Sequence, residues 1–140
     1  MAKIDRFEDL QVWQLAREIC RDVWNLIEET SLQKDFELKN QMSLSCGSIM
    51  DNIAEGFERN GNREFIQFLS ISKGSCGKLK SQLYRSLDKK HISQPQFDIL
   101  YQKAETESKM LGSFMSCLNS SNNKGSKFSN PKTTTHNSQP

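Results

Sequence analysis

The chain has 140 residues, of which 35% are hydrophobic and 26% charged, with a formal net charge of +2. That length suits one domain with a real hydrophobic core. No stretch approaches the roughly 18 apolar residues of a membrane span, and the opening MAKIDRFEDL lacks the apolar centre of a signal peptide, so a cytoplasmic protein with no membrane partner is expected.

Four amphipathic segments follow in chain order, each with apolar residues at gaps of mostly three and four. The first runs from about Glu8 to Glu29, with a stripe of Trp13, Ala16, Cys20, Val23 and Ile27 widened by Leu10, Ile19, Trp24 and Leu26. Thr30-Ser31 and Lys34-Asp35 separate it from the second, about Glu37 to Gly56, which carries Leu38, Met42, Cys46, Ile49 and Ile53. Gly56 is suited to the left-handed conformation that ends a helix, and Asn60-Gly61-Asn62 is a turn signal in which Asn62 can cap the next helix. The third runs from about Arg63 to Lys90, with Phe65, Leu69, Ser72, Cys76, Leu79, Leu83 and Leu87. Ser93 and Pro95 suit the start of the fourth, about Gln94 to Leu118, with Phe97, Tyr101, Ala104, Leu111, Met115 and Leu118. Short connections make successive helices antiparallel neighbours. The expected fold is all-α: an up-down-up-down four-helix bundle over residues 1–118. Residues 119–140 are rich in Ser, Asn, Thr and Lys, with Phe128 as the one large apolar side chain, and read as a disordered basic tail.

Charge is unevenly distributed. Residues 1–58 hold 6 basic and 12 acidic side chains, residues 59–90 hold 8 and 2, residues 91–118 hold 2 and 3, and residues 119–140 hold 3 and none. The third helix is therefore the basic element. Lys78, Arg85 and Lys89 lie within about 40° of one another on its wheel, Lys73 and Lys80 form a second ridge, and Lys90 marks its end. These six are the candidate phosphate contacts, although lysines near a helix C-terminus also suit the macrodipole and a solvated face explains them as well. Tyr84 is expected to be the only aromatic residue near them, which gives base stacking little support.

A second stripe on the same helix consists of Ser70, Gly74, Gly77 and Ser81, flanked by Ile66 and Tyr84. Glycine inside a helix costs about 1 kcal/mol relative to alanine. A groove that admits a neighbouring backbone explains two of them, so this stripe is the candidate face for self-association.

Catalytic constellations are not apparent. Cys20, Cys46, Cys76 and Cys117 form no CxxC pair and are expected as buried free thiols in a reducing compartment, with no metal or cofactor. His91 and His136 have no partner at base or metal spacing. GSCGKL, residues 74–79, lacks the first glycine and the terminal Ser or Thr of a phosphate loop, and lies in a helical pattern. In SIMDNIAEGFERNGNREFIQFL, residues 48–69, the polar residues Ser48, Asn52 and Glu55, with Gly56 and Arg59, read as a structural corner between two helices, in which Arg59 or Arg63 can pair with Glu55.

Several of these stretches resemble one family in a single frame. Phe7-Glu8-Asp9-Leu10-Gln11-Val12-Trp13-Gln14 is similar to the FEDLxVWQ opening of the bacterial four-helix bundle proteins, also called 23S rRNA intervening-sequence or S23 ribosomal proteins. Ser48-Ile49 with Asn52-Ile53-Ala54-Glu55-Gly56, then Arg59, Glu64-Phe65 and Phe68-Leu69, then Gly74-Ser75, Leu79 and Gln82-Leu83 resemble its later motifs, so the resemblance spans about residues 7–118. It departs at Lys78, where glutamate is usual, and at Ser43 and Leu44, where two arginines are usual and part of a basic surface is thus missing.

The resemblance implies a homopentamer with a central channel and no catalytic residues. It also implies kinship with accessory variability proteins of diversity-generating retroelements, which bind RNA or DNA and contact a reverse transcriptase. Two functions are expected from the sequence: a non-enzymatic, homo-oligomeric accessory protein that binds nucleic acid, RNA ahead of DNA, through the third helix; or a scaffold that presents its surface to another protein.

Overall fold

The structure, a computed structural model, describes residues 3–121. It contains four long helices: α1 (Gln11–Glu29), α2 (Phe36–Glu58), α3 (Asn62–Asp88) and α4 (Gln94–Ser120). Among the described residues there is no strand. Contacts join α1 to α2, α2 to α3, α3 to α4 and α4 back to α1, which closes a square antiparallel bundle around one core. No helix of the described residues is long and apolar enough to cross a membrane. Asn119 and Ser120, expected to open the tail, belong to α4. The rest of it, residues 122–140, lies outside the described residues.

Local chemistry sets the ends of the helices. The first helix does not start at Glu8: Phe7–Asp9 form a short 3-10 turn, and α1 begins after the fully buried, extended Leu10. Thr30 Oγ1 donates to Leu26 O at 2.6 Å and accepts from Leu32 N, closing α1 and opening the 3-10 turn Ser31–Lys34. Asp35 Oδ1 accepts from Leu38 N and caps α2. Ser93 and Gln96 form a reciprocal capping box at the start of α4, with Pro95 in its first turn.

Two expectations at the α2–α3 corner are corrected. Gly56 does not end α2 in the left-handed region; it is a buried residue inside the helix, which continues to Glu58. A Cβ built there would lie 2.7 Å from both Phe65 Cδ1 and Phe68 Cβ, so the missing side chain is what lets α3 approach. The left-handed glycine is Gly61, at φ 92°. Asn62 does not cap α3, because Gly61 occupies that position. Its Nδ2 instead donates to Leu118 O at 3.3 Å, tying the start of α3 to the end of α4.

The core residues of α2 are buried as expected, and those of α3 are buried except for the half-buried Leu87. The face of α1 is rotated relative to the expected stripe. Val12, Ala16, Ile19, Val23, Leu26 and Ile27 are buried, Trp13 and Cys20 are half-buried, and Trp24 is 62% exposed. On α4, Leu100, Glu107 and Phe114 join the core, while Tyr101 and Met115 lie at its margin. Phe65 meets Phe57 at 6.1 Å and Phe114 at 5.4 Å, both edge to face, and so links α2, α3 and α4 at one end of the bundle. The thiols are free but not uniformly buried: Cys46 and Cys76 are buried, Cys20 is half-buried and Cys117 is exposed. Cys20 and Cys46 influence each other across the α1–α2 contact: Cys46 and burial push the Cys20 thiol up, while the Cys46 thiol is drawn down.

The glycines separate into two kinds with opposite expected behaviour. Gly56→Ala is expected to destabilise the fold by about 1–3 kcal/mol through overpacking. Gly74→Ala and Gly77→Ala, where nothing lies within 4 Å of an added Cβ, are each expected to stabilise the monomer by about 1 kcal/mol through helix propensity. Urea unfolding of the three variants, compared by midpoint at constant slope, checks both directions.

Candidate nucleic-acid interface

The corner motif is structural. Ser75 Oγ donates to Ser48 Oγ at 2.8 Å, joining α3 to α2. Asn52 bonds back to Ser48 O and Oγ on its own helix. Glu55 pairs with Arg59 at 2.8 Å, and Arg59 also lies 3.8 Å from Glu64 and 5.1 Å from the Phe68 ring centre. These contacts hold the exposed side of the turn.

The six basic residues singled out on α3 fall on opposite shoulders of the helix. Toward α2, Arg85 donates to Gln41 Oε1 at 2.7 Å, and Lys89 pairs with Asp35 at 2.8 Å. Lys78 is exposed on this side of the wheel, without an ion pair or hydrogen bond among the described residues. Lys90 is exposed in the left-handed region at φ 65°, where His91 N bonds Ser86 O and the helix terminates. Toward α4, Lys80 pairs with Glu105 at 2.6 Å, and Lys73 Nζ donates to Ser108 Oγ at 3.1 Å.

The α3–α4 edge is the richer of the two, and part of it lies on α4, outside the expected set. The Lys80 hydrogen bond and charge hold the Glu105 carboxyl below the usual carboxylate range, and Lys109 and Lys73 lower it further. Lys80 is thus the direct partner of this carboxylate, and two further lysines add to the positive field around it. At the other end of the edge, Tyr84 packs against Phe97 and Tyr101 with ring centres 4.8 and 5.6 Å apart, and Phe97 and Tyr101 stack at 5.1 Å with 24° between planes. Lys80 Nζ lies 5.4 Å from the Tyr101 centroid. Tyr84 is therefore one of three clustered aromatics, a correction to its isolated reading. The periodicity of α4 placed Tyr101 and Phe97 in a core stripe, where Phe97 is buried and Tyr101 half-buried, and could not report that their rings meet Tyr84. Lys103, the other lysine of α4 within this span, is held on the opposite side by Glu18 and Asp22 of α1.

Of the residues expected to form a self-association face, Ser70, Gly74, Gly77 and Ser81 are exposed on the outer side of α3. Ile66 is half-buried against the core, and Tyr84 turns toward α4.

His91 has partners that its sequence position did not reveal. Its Nε2 lies 2.9 Å from Asp35 Oδ2 and its Nδ1 2.7 Å from Ser31 Oγ, joining the α1–α2 connection to the α3–α4 connection. Serine, imidazole and carboxylate in sequence can make a nucleophile relay. Here the same Asp35 oxygen also receives the Lys89 ammonium, and its other oxygen caps α2. The carboxylate, held well below its usual range by Lys89 first and His91 second, already has its charge matched. The arrangement works as a clasp between two loops.

With the fold and its surfaces described, relatives can be compared. Residues 8–113 match the family described as 23S rRNA-intervening sequence protein. The chain belongs to that family. A crystal structure of a protein with unknown function from the S23 ribosomal protein family, from Bacteroides thetaiotaomicron VPI-5482, is similar to it at a TM-score of 0.68 and 23% identity, covering 74% of this chain and 97% of that one. This likeness carries the bundle fold. No curated protein matches the chain.

One ionisable group departs from the surface pattern of this family member. Glu107 is fully buried on α4, and neither carboxylate oxygen has a hydrogen-bond partner among the described residues. Burial pushes its carboxyl well above the ordinary value of 4.5. Nearby Cys76 is pushed up to about 12, by burial first and then by Glu107. The native bundle thus retains a proton that the unfolded chain loses above about pH 4.5. The stabilisation this proton represents is complete below that pH and is lost as pH rises through the folded-state value, at up to about 1.4 kcal/mol per pH unit. Urea unfolding at pH 5 to 8 is expected to show the wild type losing stability relative to Glu107→Gln as pH rises. A pH-independent difference would place the charge elsewhere.

Proposed function

We propose that this member of the family is a non-enzymatic, self-associating cytoplasmic accessory protein that binds RNA in preference to DNA through the phosphate backbone. The observation that carries the reading is the α3–α4 edge, where Lys80 pairs with Glu105 and Lys73 and Lys109 add to the positive field at that carboxylate. A phosphate entering this edge meets a positive field already larger than its internal counter-charge. Lys78 and Arg85, on the other shoulder of α3, extend the surface; Lys89 and Lys90 contribute at its end. Symmetric association through the open Ser70, Gly74, Gly77 and Ser81 face would repeat the patch and multiply its potential.

A second reading has one observation in its favour. Trp24, Phe36 and Leu44 are 62%, 68% and 74% exposed. Trp24 lines a groove between α1 and α2 with Ile27, Lys39 and Ser43, Phe36 lies under Lys39, and Leu44 follows Ser43 in the chain. A protein partner, for which a reverse transcriptase is one candidate, would bury such side chains.

Fluorescence anisotropy of the full chain with a structured RNA, across a salt series, tests the first reading. Binding is expected at micromolar concentration in low salt, weakening linearly in log–log form. The triple variant Lys73→Gln, Lys80→Gln, Lys109→Gln is expected to lose about two units of slope at about 0.7–0.9 per phosphate contact, and Glu105→Gln to bind more tightly. Unchanged binding in the triple variant would remove the edge from the interface; no binding in low salt would reject the reading in favour of the protein scaffold.

A further inference from the structure

Tyr84 is 49% exposed although it belongs to a three-ring cluster. Its neighbours meet it obliquely: the planes are inclined by 56° to Phe97 and by 74° to Tyr101. They brace the ring without covering it by parallel stacking. Tyr101, by contrast, stacks on Phe97 and carries the Lys80 ammonium near its ring, so Tyr84 is the ring with surface to offer. On α3, Lys73, Gly77, Lys80 and Tyr84 recur at gaps of four, three and four and thus share one line along the helix. Lys80 lies one turn from Tyr84 and Lys73 two further turns away.

From this juxtaposition we propose that Tyr84 is a stacking platform for one unpaired RNA base, with the adjoining single strand running along Lys80 and Lys73 and beside Lys109. The inference rests on the nucleic-acid reading above and deepens it by naming the form of the ligand. A braced ring at the end of a row of ammonium groups matches the two parts of a single strand, a base face and a phosphate line. In a duplex the same phosphates are present, but the base faces are occupied by their stacked neighbours. A platform therefore selects unpaired segments, such as loops and ends, which a lysine row alone does not. A protein partner would match the rings but has no need of the lysine row.

The test uses the full chain and a 12-nucleotide single-stranded RNA carrying 2-aminopurine at a central position, with a duplex RNA and a single-stranded DNA of the same sequence as comparison arms. The wild type is expected to bind the single-stranded RNA about tenfold more tightly than the duplex and to quench the 2-aminopurine. Tyr84→Leu is expected to lose about tenfold in affinity and most of the quenching with the salt slope unchanged, whereas Tyr84→Phe retains both. Circular dichroism and the retained Tyr84→Phe behaviour separate loss of the ring from loss of the fold. If Tyr84→Leu binds and quenches like the wild type, or the duplex binds as well as the single strand, the platform is overturned while the phosphate reading stands. Equal binding of the DNA overturns the assignment to RNA. If no RNA arm binds in low salt, the functional reading fails and takes the platform with it.

Discussion

The close approach of α2 and α3 at Gly56 is the constraint on which the other helices depend. A glycine whose added Cβ would fall 2.7 Å from two phenylalanines sets the helix separation at the corner, and small residues continue the seam. Ser72 Oγ donates to Ile49 O at 2.9 Å, and Ser75 reaches Ser48, so the helices remain close for several turns. Phe65, drawn in by this approach, reaches Phe114 of α4. Asn62, at the head of α3, holds the end of α4. The position of α4 against α3, and with it the edge where lysines and tyrosines gather, follows from a contact two helices away.

Electrostatics then sorts the surface. The acidic first half of the chain does not simply face the basic third helix. Asp35 takes Lys89 and His91 in the loop clasp, Glu18 and Asp22 take Lys103, and Glu105 of α4 takes Lys80. Exposed pairs of this kind add little stability; their effect is to decide which cations remain available. After these pairings, Lys73 and Lys109 have no ion pair among the described residues, and both add to the positive field at Glu105. Local excess at one edge is the relevant quantity for a polyanion, and a net charge of +2 for the chain conceals it.

Much of the architecture was legible because an amphipathic helix announces itself by spacing. The buried faces of α2 and α3, the capping by Ser93 and the four-helix count all follow from period and cap chemistry. The errors fell where two segments meet. Trp24 follows Val23 in the chain but is turned about 100° from it on the wheel; hydropathy ranked it with the core, yet the narrower contact face of α1 leaves it 62% exposed. Gly56 has the same composition signal whether it ends a helix or admits a neighbour. His91 and Asp35 are separated by 56 residues, and no local pattern records that their loops lie at the same end of the bundle.

The sequence by itself determined the number of helices, their order, the basic character of α3 and membership in a family of intervening-sequence proteins, because these depend on residue type and on spacing along one segment. Only the tertiary structure decided that the six basic residues divide between two shoulders, that Lys109 and Tyr101 of α4 complete one edge, that Glu107 is buried without a partner, and that Ser31, Asp35 and His91 form a clasp. Each of these is a relation between side chains on different helices. It depends on the distance and rotation between helices, and those are fixed by packing at sites such as Gly56 and not by the periodicity of any helix alone.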